Sequence, residues 1–264
     1  MESPERKPDP RADARRPVGR PGFRWPGLIA ALLTCGAAPA RGEEAAERWR
    51  PNAVLFSSLE AAASTFSTSG AKIAFDRFDR DGPVALVSVG SGVRLEGGGR
   101  LPVLIRTTAL GAALGGYQFL RDGGSVAIFV GPEASIEMLA GPEAGRVQPL
   151  RAGLRLHGEV WARPSATTLA TATLILGSAR GDAWGRLSWG WSGGDALSGA
   201  YLGPEIALYA DRTGYRKWGI GLHATDLALG KSRFRLSAGC QFEDPAGAPG
   251  RAGPYLSLAI WNDL

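Results

Sequence analysis

The chain has 264 residues, 38 of them glycine and 18 proline, with 44% hydrophobic and 21% charged residues and a formal charge of +5. Glycine stands at about twice its usual share of ~7% without a Gly-X-Y period, which excludes collagen, and the near-average hydrophobic content excludes a disordered chain. A mean hydropathy of −0.06 excludes a polytopic helical membrane protein but not a membrane β-barrel, whose strands alternate.

Residues 1–40 read as a secretory signal peptide. Arg6, Lys7, Arg11, Arg15, Arg16, Arg20 and Arg24 precede an apolar stretch from Trp25 to Ala40, which ends in small residues at Ala38 and Ala40. The apolar piece is too short and too broken by Gly and Pro for a comfortable transmembrane helix. Leu32-Leu-Thr-Cys35 departs from a lipoprotein box at Thr34, and Arg15-Arg16 is followed by Pro-Val-Gly instead of the apolar residues of a twin-arginine signal. Seven basic and four acidic residues fall within 1–40, so the leader carries +3 of the +5 and the rest keeps only +2. The basic pI therefore gives no footprint for a nucleic-acid partner.

Cys35 lies in the leader and leaves Cys240 alone in the remainder, so no intramolecular disulfide forms there. With only His157 and His223 beside that cysteine, neither a structural zinc site nor a cofactor is expected.

After a short linker at 41–51, residues 52–264 form one domain and alternate with period two. Val126, Ile128, Val130, Pro132, Ala134, Ile136 and Met138 oppose Ser125, Gly131, Glu133, Ser135 and Glu137, with Ala127 and Phe129 interrupting the polar face. Leu150, Ala152, Leu154, Leu156 and Val160 oppose Arg151, Arg155, His157 and Glu159. Leu202, Pro204, Ile206 and Leu208 oppose Tyr201, Glu205, Tyr209 and Asp211. This is strand chemistry. Turn clusters divide the chain into about twelve strands, near 52–62, 68–77, 83–95, 103–119, 125–138, 150–162, 167–177, 183–191, 200–210, 215–227, 232–242 and 254–262. Segment 139–149 is the clearest long loop.

One face of these strands carries Val, Leu, Ile and Ala, adequate for lipid, and the other carries Gly, Ser, Thr, Glu, Arg and Tyr, as a polar lumen does. The expected fold is an all-β, single antiparallel up-and-down outer-membrane-type barrel. Trp161, Trp184, Trp189, Trp191, Trp218 and Trp261 fall near strand ends, where an interfacial aromatic girdle would stand. The closing segment from Gly253 to Leu264 alternates like a terminal barrel strand.

Two near-copies stand out: Phe129-Val-Gly-Pro-Glu133 and Tyr201-Leu-Gly-Pro-Glu205. Proline removes a ladder donor, so a bulge or strand start is expected at each. Both prolines take the lipid-facing parity, which sends Glu133 and Glu205 inward to pair with Arg155, Arg233 and Arg235 as a lumenal polar network. A glycan path is the alternative, because Tyr201, Tyr209, Trp161 and Tyr117 share the inward parity in this reading. His157, beside Arg155 and Glu159, is the candidate base of a Ser-His-acid group, against a plain role in the polar network. No catalytic residue is assigned.

Leu55-Phe-Ser-Ser-Leu-Glu60, Leu114-Gly-Gly-Tyr-Gln-Phe119, Asp182-Ala-Trp184-Gly-Arg-Leu-Ser-Trp-Gly190, Tyr201-Leu-Gly-Pro-Glu205, Arg233-Phe-Arg-Leu-Ser-Ala-Gly239 and Gly253-Pro-Tyr255 carry a family likeness. In this order they resemble the cellulose biosynthesis protein BcsS family of Gram-negative bacteria over residues 53–262. Each motif is short; their order and spacing carry the weight. The resemblance implies an exported, non-enzymatic outer-membrane barrel that supports cellulose production. Its implied surroundings are outer-membrane lipid and cellulose, another glucan or components of the secretion apparatus. The alternatives are a small-solute or structural barrel unrelated to cellulose, and a barrel-embedded hydrolase or acyltransferase using His157.

Overall fold

The structure, a computed structural model, describes residues 52–98, 101–141, 145–194, 199–245 and 249–263. The expected signal peptide at 1–40 and linker at 41–51 lie outside the described residues. The strands are β1 (Asn52–Ala61), β2 (Thr65–Ala74), β3 (Gly82–Gly98), β4 (Leu101–Arg121), β5 (Gly124–Ala140), β6 (Gly145–Val147), β7 (Arg151–Ser165), β8 (Thr168–Gly177), β9 (Asp182–Ser192), β10 (Tyr201–Ala210), β11 (Arg216–Leu229), β12 (Ser232–Asp244) and β13 (Arg251–Asp263).

Every long strand pairs antiparallel with its neighbours, and β1 meets β13 with Leu59 opposite Leu258, which closes the sheet on itself. Among the described residues, twelve strands make this wall. The short β6 pairs only with the end of β5, Met138 opposite Val147. Segment 139–149 is therefore not a plain loop: its first residues continue β5 and its middle adds a strand. Closure leaves no unpaired edge around the barrel, which satisfies the backbone without water.

Between β3 and β5 the wall is taller than elsewhere. β3 continues past Val93, the partner of the first β2 residue Thr65, and its extension pairs with the start of β4. The 21 residues of β4 span about 70 Å at ~3.4 Å per residue, well beyond a hydrocarbon core of ~30 Å. The excess projects at the end opposite the one where β1 begins and β13 finishes, hereafter the distal and terminal ends.

The sequence alternation becomes an inside and an outside. Val130, Leu154, Leu187, Ile206, Ile220 and Leu256 stand exposed around the outer wall, Leu222 at 67%, while Glu133, Arg155, Glu205 and Arg235 are buried within. So large an apolar surface is foreign to a water-soluble monomer.

The lumen departs from the expected polar lining in one sector. Ala74, Val84, Leu86, Ala112, Leu114, Ala127 and Phe129 pack together inside β2–β5, with Phe56 and Phe78 against them. Ala127 and Phe129, which interrupt the polar face in sequence, are part of this inner core. Phe78 reaches it from the β2–β3 connection, whose carbonyl at Phe78 accepts from Gln118 Nε2 at 3.0 Å.

Three of the six tryptophans face outward as a girdle would, with Trp189 and Trp191 toward the terminal end and Trp218 stacked on Phe242 at 4.1 Å toward the distal end. Trp161, Trp184 and Trp261 instead share the lumenal face: for Trp161 this is the inward parity read from the sequence, and for Trp184 and Trp261 it corrects the girdle expectation. Trp161 and Trp261 meet with ring centroids 5.8 Å apart. Tyr117 is the converse correction: it is exposed on the outer wall, 4.8 Å from Phe119, while its neighbour Gln118 is buried. The surrounding Gly, Ala and Leu residues have no polar contrast to fix the phase of that stretch.

Candidate functional site: the lumenal charge networks

Each Gly-Pro-Glu motif sits in mid-strand, and neither makes a bulge. β5 keeps its register with β7 through Pro132 opposite Leu154, and β10 keeps its register with β11 through Pro204 opposite Leu222. On the other side the ladder skips. β4–β5 pairing passes from Ala112–Glu133 to Gly115–Val130, and β9–β10 pairing from Leu202–Trp191 to Glu205–Ser188, both without slip. Missing proline donors explain the gap. The preceding glycines let the strands close up there: a Cβ on Gly131 would lie 2.8 Å from Leu114 Cα, and one on Gly203 2.9 Å from Gly190 Cα.

The glutamate after each proline is a hub. Glu133 accepts from Arg155 Nε at 2.9 Å and from the Ala179 backbone N–H at 2.9 Å. Glu205, 3% exposed, accepts from Arg235 Nη2 at 2.6 Å, Ser237 Oγ at 3.0 Å and Tyr255 O–H at 2.8 Å. Tyr255 lies in a cradle of small residues: a Cβ on Gly239 would approach its Cε1 to 2.8 Å. Both carboxylates are thus occupied by protein donors on both oxygens, as buried charge requires.

Toward the distal end, six charged side chains form a closed alternating ring. Arg94 donates to Glu96 Oε1 at 2.7 Å, and Arg106 to Glu96 Oε2 at 2.8 Å. Arg106 Nη1 donates to Glu137 Oε2 at 2.7 Å, and Arg180 Nε to Glu137 Oε1 at 3.2 Å. Arg180 reaches Tyr209 Oη at 2.9 Å, Tyr209 donates to Asp211 Oδ2 at 3.1 Å, and Arg94 Nη1 donates to the same oxygen at 2.7 Å. Three guanidinia and three carboxylates balance. Asp211 lies in the β10–β11 turn, where its carboxyl falls below the ordinary value: burial pushes it up, but bonds from Thr213 and Arg94 outweigh burial.

A second set crosses the lumen. Lys72 on β2 donates to Glu159 Oε2 on β7 at 3.1 Å. Glu60 on β1 accepts from Lys217 on β11 at 2.5 Å and Arg186 on β9 at 3.4 Å.

The sequence-derived residues therefore distribute as follows. Glu133 with Arg155, and Glu205 with Arg235, form two separate pairs. Tyr209 belongs to the distal ring, and buried Tyr201 packs where a Cβ on Gly190 would come within 2.9 Å of its own Cβ. His157 Nε2 stands 3.0 Å from Glu159 Oε1, and its ring meets Phe129 edge-on at 5.7 Å. His157 faces a carboxylate already held by Lys72; among the described residues no hydroxyl is hydrogen-bonded to it. Arg233 pairs with neither glutamate: it stands at the terminal rim and donates to Asp226 Oδ1 at 2.8 Å. Its parity is right, but it lies at the β12 end, beyond the reach of Glu133 and Glu205.

Sequence reasoning missed Arg94, Glu96, Arg106, Arg180, Lys72, Glu60, Arg186 and Lys217. Most carry the lumenal parity of their strands, which was the available signal, but their partners lie on distant strands and turns. Among the described residues no three metal-ligating side chains converge.

The profile of the cellulose biosynthesis protein BcsS family matches residues 54–264. Among solved structures the chain is similar to the β domain of the Bordetella autotransporter BrkA, at 17% identity and a TM-score of 0.41, covering 81% of this chain and 98% of that one. No curated protein is significantly similar to it in sequence. The family profile spans the barrel from β1 to β13, so this chain belongs to the cellulose biosynthesis protein BcsS family.

Proposed function

We propose that this chain is a non-enzymatic outer-membrane β-barrel that supports cellulose biosynthesis or secretion as a closed-lumen component and not as an open pore. The observation that carries the reading is the coincidence of the BcsS family match with the entire barrel wall. A continuous apolar outer face and two aromatic fringes favour insertion in a bilayer. Three two-residue turns, at 122–123, 166–167 and 230–231, lie at the terminal end, which favours a periplasmic position for that end and an extracellular one for the tall β3–β5 wall. Residues 1–40 would supply the export signal.

Charge pairing across the lumen weighs against a solute channel, because Lys72–Glu159 and Arg186–Glu60 join strands four and five places apart in the twelve-strand ring. A hydrolase using His157 is disfavoured by the absence of a hydroxyl hydrogen-bonded to that ring among the described residues. The test is a deletion strain stained with a cellulose-specific dye. Staining falls in the deletion and returns when the full chain is supplied; unchanged staining contradicts the proposal.

A further inference from the structure

The terminal mouth of the lumen holds a composite cluster that the networks above do not use. Trp161 and Trp261, from β7 and β13, meet at 5.8 Å and 71°. Arg163 follows Trp161 by two residues, and Arg233 is the direct cross-strand partner of Trp261. One carboxylate links the two guanidinia: Asp226 lies 2.8 Å from Arg233 Nη1 and 3.8 Å from Arg163 Nη2. Two indoles, two guanidinia and one carboxylate are thus gathered at this mouth.

The backbone is irregular at both places that aim these charges. The β7–β8 register shifts between Ala162 and Ser165, and the β11–β12 register between Thr225 and Leu227. Asp226, the extra residue of the second bulge, adopts φ +70°, the one positive φ among the described non-glycine residues. Bulges at barrel rims re-aim side chains, and a strained non-glycine residue persists only where its surroundings hold it. The guanidinia remain open to solvent, with Arg163 at 56% and Arg233 at 49% side-chain exposure, while Asp226 is only 15% exposed.

We propose that this Trp161–Trp261–Arg163–Arg233–Asp226 cluster is a glucan-binding clamp at the periplasmic mouth, which takes a short segment of β-linked glucose chain. The inference rests on the proposed membership of the chain in a cellulose-producing apparatus and names the ligand that barrel would hold. Indoles give flat apolar faces and an N–H donor, suited to the C–H faces of pyranose rings. A hydroxyl both donates and accepts, and the clamp offers guanidinium donors beside a carboxylate acceptor. A phosphate or sulfate would need donors alone, and Asp226 opposes it. Among the described residues, no such charged pair stands beside the outward Trp189, Trp191 and Trp218, which serve as internal comparisons.

The test titrates cellohexaose into the full chain, purified from outer membranes in a phosphocholine detergent that carries no sugar, by tryptophan fluorescence and calorimetry. The parent protein binds saturably. Trp161→Ala, Trp261→Ala and the double variant Arg163→Gln/Arg233→Gln each weaken binding by about tenfold or more, while Trp218→Ala does not. Heat-modifiable gel migration establishes that each variant is folded, and Trp161→Phe replaces Trp161→Ala if the latter fails to assemble. No saturable response, or unchanged affinity in the folded clamp variants, overturns the proposal. The two readings fail separately. Absent cellohexaose binding with dye staining lost on deletion overturns the clamp and leaves the cellulose role. Clamp-dependent binding with staining unaffected by deletion overturns the cellulose role and leaves the clamp.

Discussion

Arg94 Nη1 donates to Asp211 Oδ2 at 2.7 Å, a bond between residues 117 apart in sequence that ties β3 to the β10–β11 turn. The same guanidinium lies 4.2 Å from the ring centroid of Tyr215, in that same turn, and donates to Glu96 on its own strand, so one side chain holds β3 and the turn together at the distal end. Without it the alternating ring opens between Glu96 and Asp211.

Arg94→Ala is expected to cost about 3–5 kcal/mol, the usual penalty for leaving buried carboxylates without their cation. The fall in the urea midpoint of unfolding, followed by tryptophan fluorescence in detergent, measures it. Replacing Arg94 and Asp211 together by apolar residues of similar volume recovers much of the loss, because the penalty lies in the orphaned charge.

The ring also sets a direction for pH. Asp211 has its carboxyl below the ordinary value, with burial opposing the shift and the Thr213 and Arg94 bonds outweighing it. A lowered folded-state value means that its contribution is fully present above the unfolded-state value of about 4 and is lost as pH falls through the lower folded one. Urea midpoints recorded from neutral pH into the acid range therefore decline at the acid end. Asp211→Asn starts lower and declines less steeply.

Gly131→Ala and Gly203→Ala force a methyl group to 2.8 Å from Leu114 Cα and 2.9 Å from Gly190 Cα, against backbone that cannot swing away. Each is expected to lose about 1–3 kcal/mol by overpacking. Gly158→Ala, with nothing within 4 Å of its added Cβ, is the control and changes the urea midpoint little.

Outward and inward tryptophans separate in a bilayer. Brominated acyl chains quench the fluorescence contributed by Trp189, Trp191 and Trp218 and leave that of Trp161 and Trp261 largely intact. Emission from single-tryptophan variants in brominated vesicles checks the assignment; equal quenching of both groups contradicts the wall orientation.

Period-two alternation was enough to find the strands and to turn Glu133, Arg155, Glu205 and Arg235 inward, because contrast between faces fixes strand phase. Where contrast vanishes the phase is illegible: the run from Ala109 to Gly116 has no polar residue, so the sequence parity puts Tyr117 on the face opposite to the one it takes. The inner apolar core around Phe129 reads as a flaw in the polar pattern until its partners on β3 and β4 are known. Arg233 shows a different limit. Its face follows from parity, but its neighbour Asp226 arises from a bulge that nothing in the local pattern announces. The distal ring was hidden by distance, since Arg94, Glu137, Arg180 and Asp211 come together only when the sheet closes.

The most direct test of the barrel in its membrane is electrophoretic migration of the full chain from fractionated cells, with and without boiling. A folded, membrane-inserted barrel is recovered in the outer-membrane fraction and runs faster unboiled than boiled. Recovery as a freely soluble periplasmic protein, with identical migration under both conditions, would contradict it.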